Sequence, residues 1–109
     1  MVLFPKSQVL MVCDESKKAT LRKPSTKVKS DEQKALNNFK YGAFAVLKGV
    51  TSEIISVDDI DDNLANDLGY GSREEYLAQG WNEEYSERLL IRWESIEVNW
   101  DVVEKLGVL

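Results

Sequence analysis

The chain has 109 residues, of which 43% are hydrophobic and 30% charged, and this composition predicts a folded protein rather than a disordered one. The length suits one domain over residues 1–109 and leaves no room for a separate cofactor domain. With one cysteine and no histidine, the chain excludes an internal disulfide and a histidine-dependent nucleophile, and it argues against a zinc site. The 19 acidic residues leave a carboxylate-only Mg²⁺ or Ca²⁺ site open. Our prediction is nevertheless no metal and no cofactor.

The sequence also predicts where the protein works. No apolar run approaches the roughly 18 residues that a membrane-spanning helix needs. The first residues, Met1 to Pro5, lack the basic and apolar regions of a secretory signal. A single cysteine fits a reducing compartment. We expect a cytoplasmic protein that does not bind a membrane.

The charge is distributed unevenly along the chain. The net charge of −5 argues against a nonspecific binder of polyanions. Residues 1–50, however, carry ten Lys and Arg against four Asp and Glu, a balance of +6, whereas residues 51–109 carry four against fifteen, a balance of −11. The basic half could meet a phosphate while the acidic half keeps the protein in solution; the alternative is ordinary solvated charge.

The first half of the chain predicts a helix, a strand and a second helix. Val9 to Val12 form a short apolar segment, which indicates a helix or turn. From Lys18 to Lys23 apolar and polar residues alternate with the period of a half-buried strand. Ser30 to Gln33 have the spacing of a capping box, so we predict a short helix that runs on to Phe39.

The second half predicts strands and helices in turn, from runs of apolar residues, helical periodicity and capping residues. Within the last predicted strand, the apolar positions change from odd to even numbers near Glu94 and Ser95. Such a change of parity predicts a bulge there, of the kind that bends a sheet towards a barrel. The predicted strands cover 41–48, 52–57 and 88–99, and the predicted helices cover 57–68 and 73–80.

Two motifs resemble the ASCH domain family, a branch of the PUA-like proteins. The first is the order Glu15, Lys17, Thr20, Arg22, which is similar to the family pattern GxKxxTxR with glutamate at the glycine position. The second runs from Ala65 through Gly69-Tyr70 to Ser72-Arg-Glu-Glu-Tyr76 and resembles the family run AxxxG(F/Y) followed by SxEE(F/Y). The resemblance implies an α+β fold with a small, mostly antiparallel β-barrel, flanking helices and a cleft beside the KxxTxR strand.

The KxxTxR segment carries the candidate chemistry. Alternation along a strand places Thr20 and Arg22 on one face, with Lys17 at the beginning of the strand. Arg22 suits a phosphate or the edge of a base, and a desolvated Lys17 would have a lowered pKa and could act as a base. Thr20 could be a nucleophile or a hydrogen-bond donor. The alternative is an ordinary exposed strand face.

The resemblance also bears on catalysis. Some family members of this size are N4-acetylcytidine amidohydrolases, which use a lysine, a threonine and a glutamate. Lys17 and Thr20 stand at the first two positions, but Leu68 stands where the glutamate falls. We therefore predict that the protein hydrolyses N4-acetylcytidine poorly or not at all.

Further residues are candidates for contacts with nucleic acid. Tyr41 and Tyr70 could stack on a base, although packing in the core or at its rim is the alternative. Basic residues around the same strand could contact phosphates. The complete set of predicted binding residues is Lys17, Lys18, Thr20, Arg22, Lys23, Lys27, Tyr41 and Tyr70.

Three functions remain open on the sequence alone. The first is a module that binds RNA or a nucleotide through a basic cleft. The second is an enzyme, either a small-amide hydrolase acting on N4-acylated cytidine or a ribonuclease, that uses Lys17 and Thr20. The third is an interaction protein whose acidic half meets a basic protein partner. A carboxylate within reach of Lys17 and Thr20 would favour the enzyme.

Overall fold

The computed structural model describes residues 1–79 and 86–109 as an α+β protein with two sheets. Each strand of the two sheets is short, at six residues or fewer. The strands are β1 (Val2–Leu3), β2 (Ala19–Arg22), β3 (Glu32–Leu36), β4 (Ala43–Lys48), β5 (Thr51–Ser56), β6 (Glu87–Arg92) and β7 (Ser95–Val98). The α-helices are α1 (Lys6–Cys13), α2 (Asp62–Asp67), α3 (Arg73–Gln79) and α4 (Trp100–Lys105), and a 3₁₀ turn covers Val57–Asp59.

The strands form one sheet of four and one of three. The larger sheet has the order β1-β3-β4-β7 and the smaller sheet has the order β2-β6-β5. All pairings are antiparallel except that of β1 with β3. In this arrangement β2 lies at an edge of the smaller sheet.

A single bent ribbon joins the two sheets. β4 pairs with β7 in one sheet, and the continuations of these strands, β5 and β6, pair in the other. Lys48 lies opposite Ser95 and Thr51 lies opposite Arg92, so both strands have two residues at the bend and the register is unchanged across it. The Glu94 amide donates to the Lys48 carbonyl at 2.9 Å and holds the corner.

This ribbon corrects the predicted bulge at Glu94 and Ser95. A bulge adds a residue to one strand only, whereas here both strands turn together. Gly49 makes the turn possible because its φ is +64° and a Cβ on it would lie 2.8 Å from the Glu94 carboxylate. The change of parity was real, but it marks the passage from one sheet to the other, and the predicted strand 88–99 is β6 followed by β7.

Two hydrophobic cores lie on opposite faces of the smaller sheet. Neighbouring residues of β6 alternate between them, since Leu89 and Ile91 enter one and Leu90 enters the other. The larger core fills the space between the sheets and includes Phe44 and Val103. The smaller core packs α2 and α3 against the sheet through Ala19, Leu21, Ile55, Ile60, Leu64, Ala65, Leu68, Tyr76 and Leu90.

The predicted barrel is wrong, although the α+β class and the mostly antiparallel pairing are confirmed. The two sheets share the bent ribbon at one side but are not closed into a barrel at the other. There, β1 and β2 are edge strands that do not pair with each other. A side chain joins them instead, because the Arg22 guanidinium donates to the Leu3 carbonyl at 2.6 Å.

The helix predicted from Ser30 to Phe39 is also wrong. Residues 32–36 form β3, between β1 and β4. The Ser30 hydroxyl accepts from the Glu32 amide at 3.2 Å, two residues on, which is a local turn contact rather than a helix cap. Pairing with two strands outweighs the capping pattern because Ala35 and Leu36 become buried in the sheet.

The acidic helix predicted over 57–68 is interrupted. Ile60 is extended and almost fully buried, and it separates the 3₁₀ turn from α2. Each piece has its own acidic cap, since the Asp59 carboxylate accepts from the Ser56 amide at 2.8 Å and the Asp61 carboxylate accepts from the Leu64 amide at 2.7 Å. These carboxylates therefore cap helix N-termini.

The remaining helices follow the sequence more closely. The apolar segment at Val9 lies in α1, which is a true helix. The Ser72 hydroxyl accepts from the Glu75 amide at 3.1 Å, as the capping spacing predicts for α3. The predicted end of this helix at residue 80 lies outside the described residues. None of the helices in the described ranges is long and apolar enough to cross a membrane.

Candidate functional site

A small cavity opens at the free edge of β2 and carries most of the candidate chemistry. Its volume is about 110 Å³. Side chains of α1, β2, α3 and β6 meet there with the segment that joins α2 to α3. We call it the Lys17 cavity, and it is lined by Gln8, Lys17, Thr20, Leu21, Arg22, Leu68, Tyr70, Tyr76 and Arg88.

Lys17 is buried in the wall of this cavity and is only 3% exposed. Its ammonium group donates to the Leu68 carbonyl at 2.7 Å, at the end of α2. The chain reaches this position through a tight turn after α1, in which the Lys17 amide donates to the Met11 carbonyl and Glu15 has a φ of +64°. Burial, and then the nearby charge of Arg22, lowers the pKa of Lys17 from 10.5 to about 8.

Gly69 allows the end of α2 to close on Lys17. Its φ is +98°, a conformation that favours glycine. A Cβ at this position would lie 2.7 Å from the Met11 methyl group and 3.7 Å from Lys17 Cβ. The glycine therefore permits both the turn that follows α2 and the close approach of α1.

Thr20 and Arg22 project together, as the alternation of β2 predicts. Arg22 Nη1 donates to the Thr20 hydroxyl at 2.8 Å and to the Leu21 carbonyl at 3.1 Å. The guanidinium also lies 5.3 Å from the centre of the Phe4 ring. Thr20 is only 2% exposed, so the alternative of an ordinary exposed strand face is wrong. Burial, and then the charge of Arg88, lowers the pKa of Arg22.

Two tyrosines form the side of the cavity supplied by the α2–α3 segment. The rings of Tyr70 and Tyr76 meet edge to face, with centres 5.3 Å apart. Tyr76 is 2% exposed, and its hydroxyl is buried without a hydrogen-bond partner. Burial raises the pKa of Tyr76, an effect that the charge of Arg88 opposes.

The lining of the cavity is cationic. Lys17, Arg22 and Arg88 contribute three basic groups, and the lining residues in the described part of the chain include no Asp or Glu. Leu68 lines the cavity at the position where the resemblance places a glutamate. The adjacent Asp67 instead forms an ion pair with Arg92 at 3.1 Å. Such a lining can attract an anion and donate hydrogen bonds to it.

The structure brings four of the eight predicted residues together, namely Lys17, Thr20, Arg22 and Tyr70. Lys18 and Lys23 are exposed and do not line this cavity. Lys27 lies beside a separate cavity of about 220 Å³, which Arg22 also lines.

Tyr41 is also separate from the Lys17 cavity. It packs against the larger core, with the Lys40 ammonium 5.2 Å from its ring centre. The position of Tyr41 therefore does not support the prediction that it stacks on a base in this site.

Three polar lining residues, Gln8, Tyr76 and Arg88, were not among the predicted binding residues. Gln8 and Arg88 come from distant parts of the chain and meet β2 only after folding. The Arg88 side chain donates to the Arg22 carbonyl at 3.2 Å, and nothing in the local sequence pattern shows this contact. Tyr76 ends the second motif, but its burial beside basic residues is a property of the fold that the motif does not show.

Comparison of the chain with protein-family models, with curated proteins and with solved structures found no match. The site is therefore interpreted from its own geometry and charge.

Proposed function

We propose that this protein is a binding module for a nucleotide or RNA, and that the Lys17 cavity holds an anionic part of the ligand. The observation that carries the proposal is a buried cavity with three basic groups and no carboxylate among its described lining residues. The buried Lys17 and Arg22 side chains donate to neutral carbonyl and hydroxyl oxygens, so an anion that joined them would be stabilised by both charges. The phosphate of a nucleotide supplies that anion.

The size of the cavity favours one chemical group rather than a whole ligand. At about 110 Å³ it is smaller than the roughly 300–1,000 Å³ of pockets that enclose a drug-sized molecule. A phosphate or a single base would enter, and the rest of the ligand would lie on the surface outside. The exposed lysines near β2, including Lys18 and Lys23, can then add weak contacts with phosphates.

We also propose that the protein is related to the ASCH family and is located in the cytoplasm, where RNA and nucleotides are present. One feature of the backbone supports the resemblance. Glu15 is the only described non-glycine residue with a positive φ, and it stands where the family pattern has glycine. A glycine at this position, as in the family pattern, would adopt the same positive φ without strain.

The test is a titration of short RNA at low salt with the wild-type protein and two lysine variants. We expect weak binding that falls as salt rises, because phosphate contacts release counterions. Lys17→Ala should lose most of this affinity. Lys18→Ala removes the same charge from the exposed neighbour and should lose little. Absence of RNA and nucleotide binding at low salt would refute the proposal. Equal losses of affinity in Lys17→Ala and Lys18→Ala would show that the cavity is not the binding site.

Amide hydrolysis is a second candidate, favoured by the lowered pKa of Lys17. With a pKa of about 8, this lysine is partly neutral near physiological pH and shares the cavity with Thr20. The Thr20 hydroxyl accepts from Arg22 and so keeps its own proton available. What the described lining lacks is a carboxylate to carry a proton to the leaving nitrogen, a step worth about 10²–10⁴ in rate.

We therefore expect little or no hydrolysis of N4-acetylcytidine by the wild-type protein. Leu68→Glu places a carboxylate in the cavity wall and should raise the rate. The matched control is Leu68→Gln, which has the same shape without the charge and should not. Release of acetate, followed by chromatography, measures both. Brisk turnover by the wild-type protein would show that hydrolysis, not binding alone, is its function.

A further inference from the structure

The outer edge of β5 carries backbone groups that point away from the fold. β5 is an edge strand of the smaller sheet and pairs on its inner side with β6. In β6, the Trp93 amide donates to the carbonyl of the residue before β2, so the backbone groups of Trp93 face β2. Because these groups alternate in direction along a strand, those of Arg92 face its partner Thr51 in β5. By the same alternation, Ser52 and Ile54 direct their N–H and C=O groups outward.

Local contacts close this outer edge at both ends. Before β5 begins, the Val50 amide donates to the Asp31 carbonyl at 2.9 Å. At the last residue of β5, the Ser56 amide donates to the Asp59 carboxylate at 2.8 Å. Two residues between these points remain, with two N–H and two C=O groups for which the described part of the chain supplies no partner. The open stretch therefore fits a short added strand, because unpaired edge groups are a template for pairing.

One face of β5 beside this stretch is acidic. Glu53 lies between the two open residues, and its side chain is on the face of the sheet that packs α2. There it lines a groove of about 390 Å³ together with Asp59 and Asp61. Arg92 also lines the groove, but its charge is paired with Asp67 at 3.1 Å. A lysine or arginine of an added strand would meet three carboxylates on this face.

The other face of β5 is apolar at the same point. Ile54 is 48% exposed, although it lies opposite Leu89 of the larger core. Side chains of an added strand would alternate between the two faces, and an apolar side chain on this one would cover Ile54. The edge therefore selects a strand that has a basic residue opposite Glu53 and apolar residues on either side of it.

A second copy of the chain does not satisfy this requirement. Antiparallel pairing of two such edges about a two-fold axis would bond Ser52 of one copy to Ile54 of the other. That register places the Glu53 side chains of the two copies directly opposite each other, where like charges are destabilising. The occupant of the edge must instead carry the opposite charge.

We infer that the outer edge of β5 is a docking site for an extended peptide in which apolar and basic residues alternate, with a lysine or arginine opposite Glu53. The peptide adds a strand to the smaller sheet and pairs with the open backbone groups of Ser52 and Ile54. The groove beside β5 shares no lining residue with the Lys17 cavity, so peptide docking and nucleotide binding are independent of each other.

The test is a titration of the protein with a five-residue peptide that alternates valine with lysine and has blocked termini. The control peptide has glutamate in place of each lysine. We expect NMR to show binding of the lysine peptide only. Hydrogen exchange of the Ser52 and Ile54 amides should slow by about tenfold or more at saturation, because pairing protects an amide. The Glu53 amide already faces β6 and should change little.

A change of charge in the protein tests the role of Glu53. Glu53→Lys should weaken the lysine peptide about tenfold or more and should allow the glutamate peptide to bind. Glu104→Lys makes the same change of charge at an exposed position of α4, which packs on the larger core, and should leave both affinities unchanged.

Several results would overturn the docking site. Absence of binding at millimolar peptide would refute it, and equal weakening in Glu53→Lys and Glu104→Lys would show attraction by net charge alone. Binding without protection of the Ser52 and Ile54 amides would refute the addition of a strand. Protection of these amides as the protein alone is concentrated would assign the edge to a second copy. Loss of RNA binding in Lys17→Ala is measured separately and bears only on the Lys17 cavity.

Discussion

The buried Lys17 makes the stability of the folded protein depend on pH, and a substitution of this one residue can measure the effect. Its pKa is about 8 in the folded protein and near 10.5 in the unfolded chain, so the unfolded chain binds more protons between these values. The stability cost of this buried charge is complete below pH 8 and shrinks as the pH rises towards 10.5. The two pKa values correspond to a cost of about 3 kcal/mol.

Other buried groups oppose this trend, so the measurement must compare variants. The pKa values of Cys13 and Tyr76 are raised, and these groups lower the stability as the pH rises. Lys17→Met keeps both. The free energy of unfolding of the wild type minus that of Lys17→Met should increase by up to about 3 kcal/mol between pH 7 and pH 10.5. Urea titrations along the pH series would measure it, with Lys18→Met as the control, and a flat difference would contradict the burial of this charge.

The residues that the sequence placed correctly are those related by local geometry. Thr20 and Arg22 share a face because they are two positions apart in a strand, and the structure joins them by a hydrogen bond. Arg88 and Gln8 could not be placed in this way. They reach the cavity through the pairing of β6 with β2 and the packing of α1, which are properties of the whole fold.

At the scale of elements, the end of α2 controls the shape of the cavity. Gly69→Ala adds a Cβ in a left-handed conformation, at a cost of about 1–2 kcal/mol, and pushes against the Met11 side chain. We expect a loss of stability and a weaker affinity for short RNA, since Leu68 and Lys17 would move apart. Thermal unfolding and calorimetry would measure these two effects.

Gly42→Ala is the control for this change. Gly42 also has a positive φ, of +77°, but a Cβ there meets nothing within 4 Å. It should lose similar stability through backbone strain alone and keep its affinity for the ligand. Equal affinity in the two variants would show that the end of α2 does not shape the site.

The elements that the sequence predicted correctly are the strands whose apolar residues alternate or run together, such as β2 and β4. β3 was missed because its capping-box spacing is a short-range signal, whereas its pairing with β1 and β4 is long-range. The break in the acidic helix was missed for a related reason. Ile60 fits the helical period, but it is extended and packs in the smaller core, a long-range contact that the period does not show.

For the whole molecule, the two cores share β6 and should unfold together. Leu90→Ala and Ile91→Ala empty space in the smaller and the larger core respectively, and each should cost about 2–5 kcal/mol. Methyl signals of Leu64 and Val103, followed by NMR in urea, report on the two cores separately. Both signals should disappear at the same urea concentration in each variant. Earlier loss of the Leu64 signal in Leu90→Ala would show that the smaller core unfolds on its own.

The way the sheets join is the property of the whole molecule that the sequence did not predict. Alternation identifies strands, but it does not say whether the first and last edges of a sheet meet. Here β1 and β2 remain apart, and the Arg22 side chain spans the gap that backbone pairing would close in a barrel. A resemblance to barrel proteins implied closure, and the structure shows two sheets hinged along one ribbon.

The ribbon has a consequence for how such a site can change. Because β4 and β5 pair without a break in register with β7 and β6, the segment between Ser56 and Glu87 is one insertion at the tip of a long hairpin. That insertion carries Leu68, Tyr70 and Tyr76 of the nine residues that line the Lys17 cavity, whereas the three basic groups lie outside it. Protein engineering can therefore exchange the part of the insertion beyond Gly69 and keep the contacts of Lys17 with Leu68 and of Arg88 with Arg22. The residues that would select the ligand and the basic groups that would attract it therefore lie in different segments of the chain.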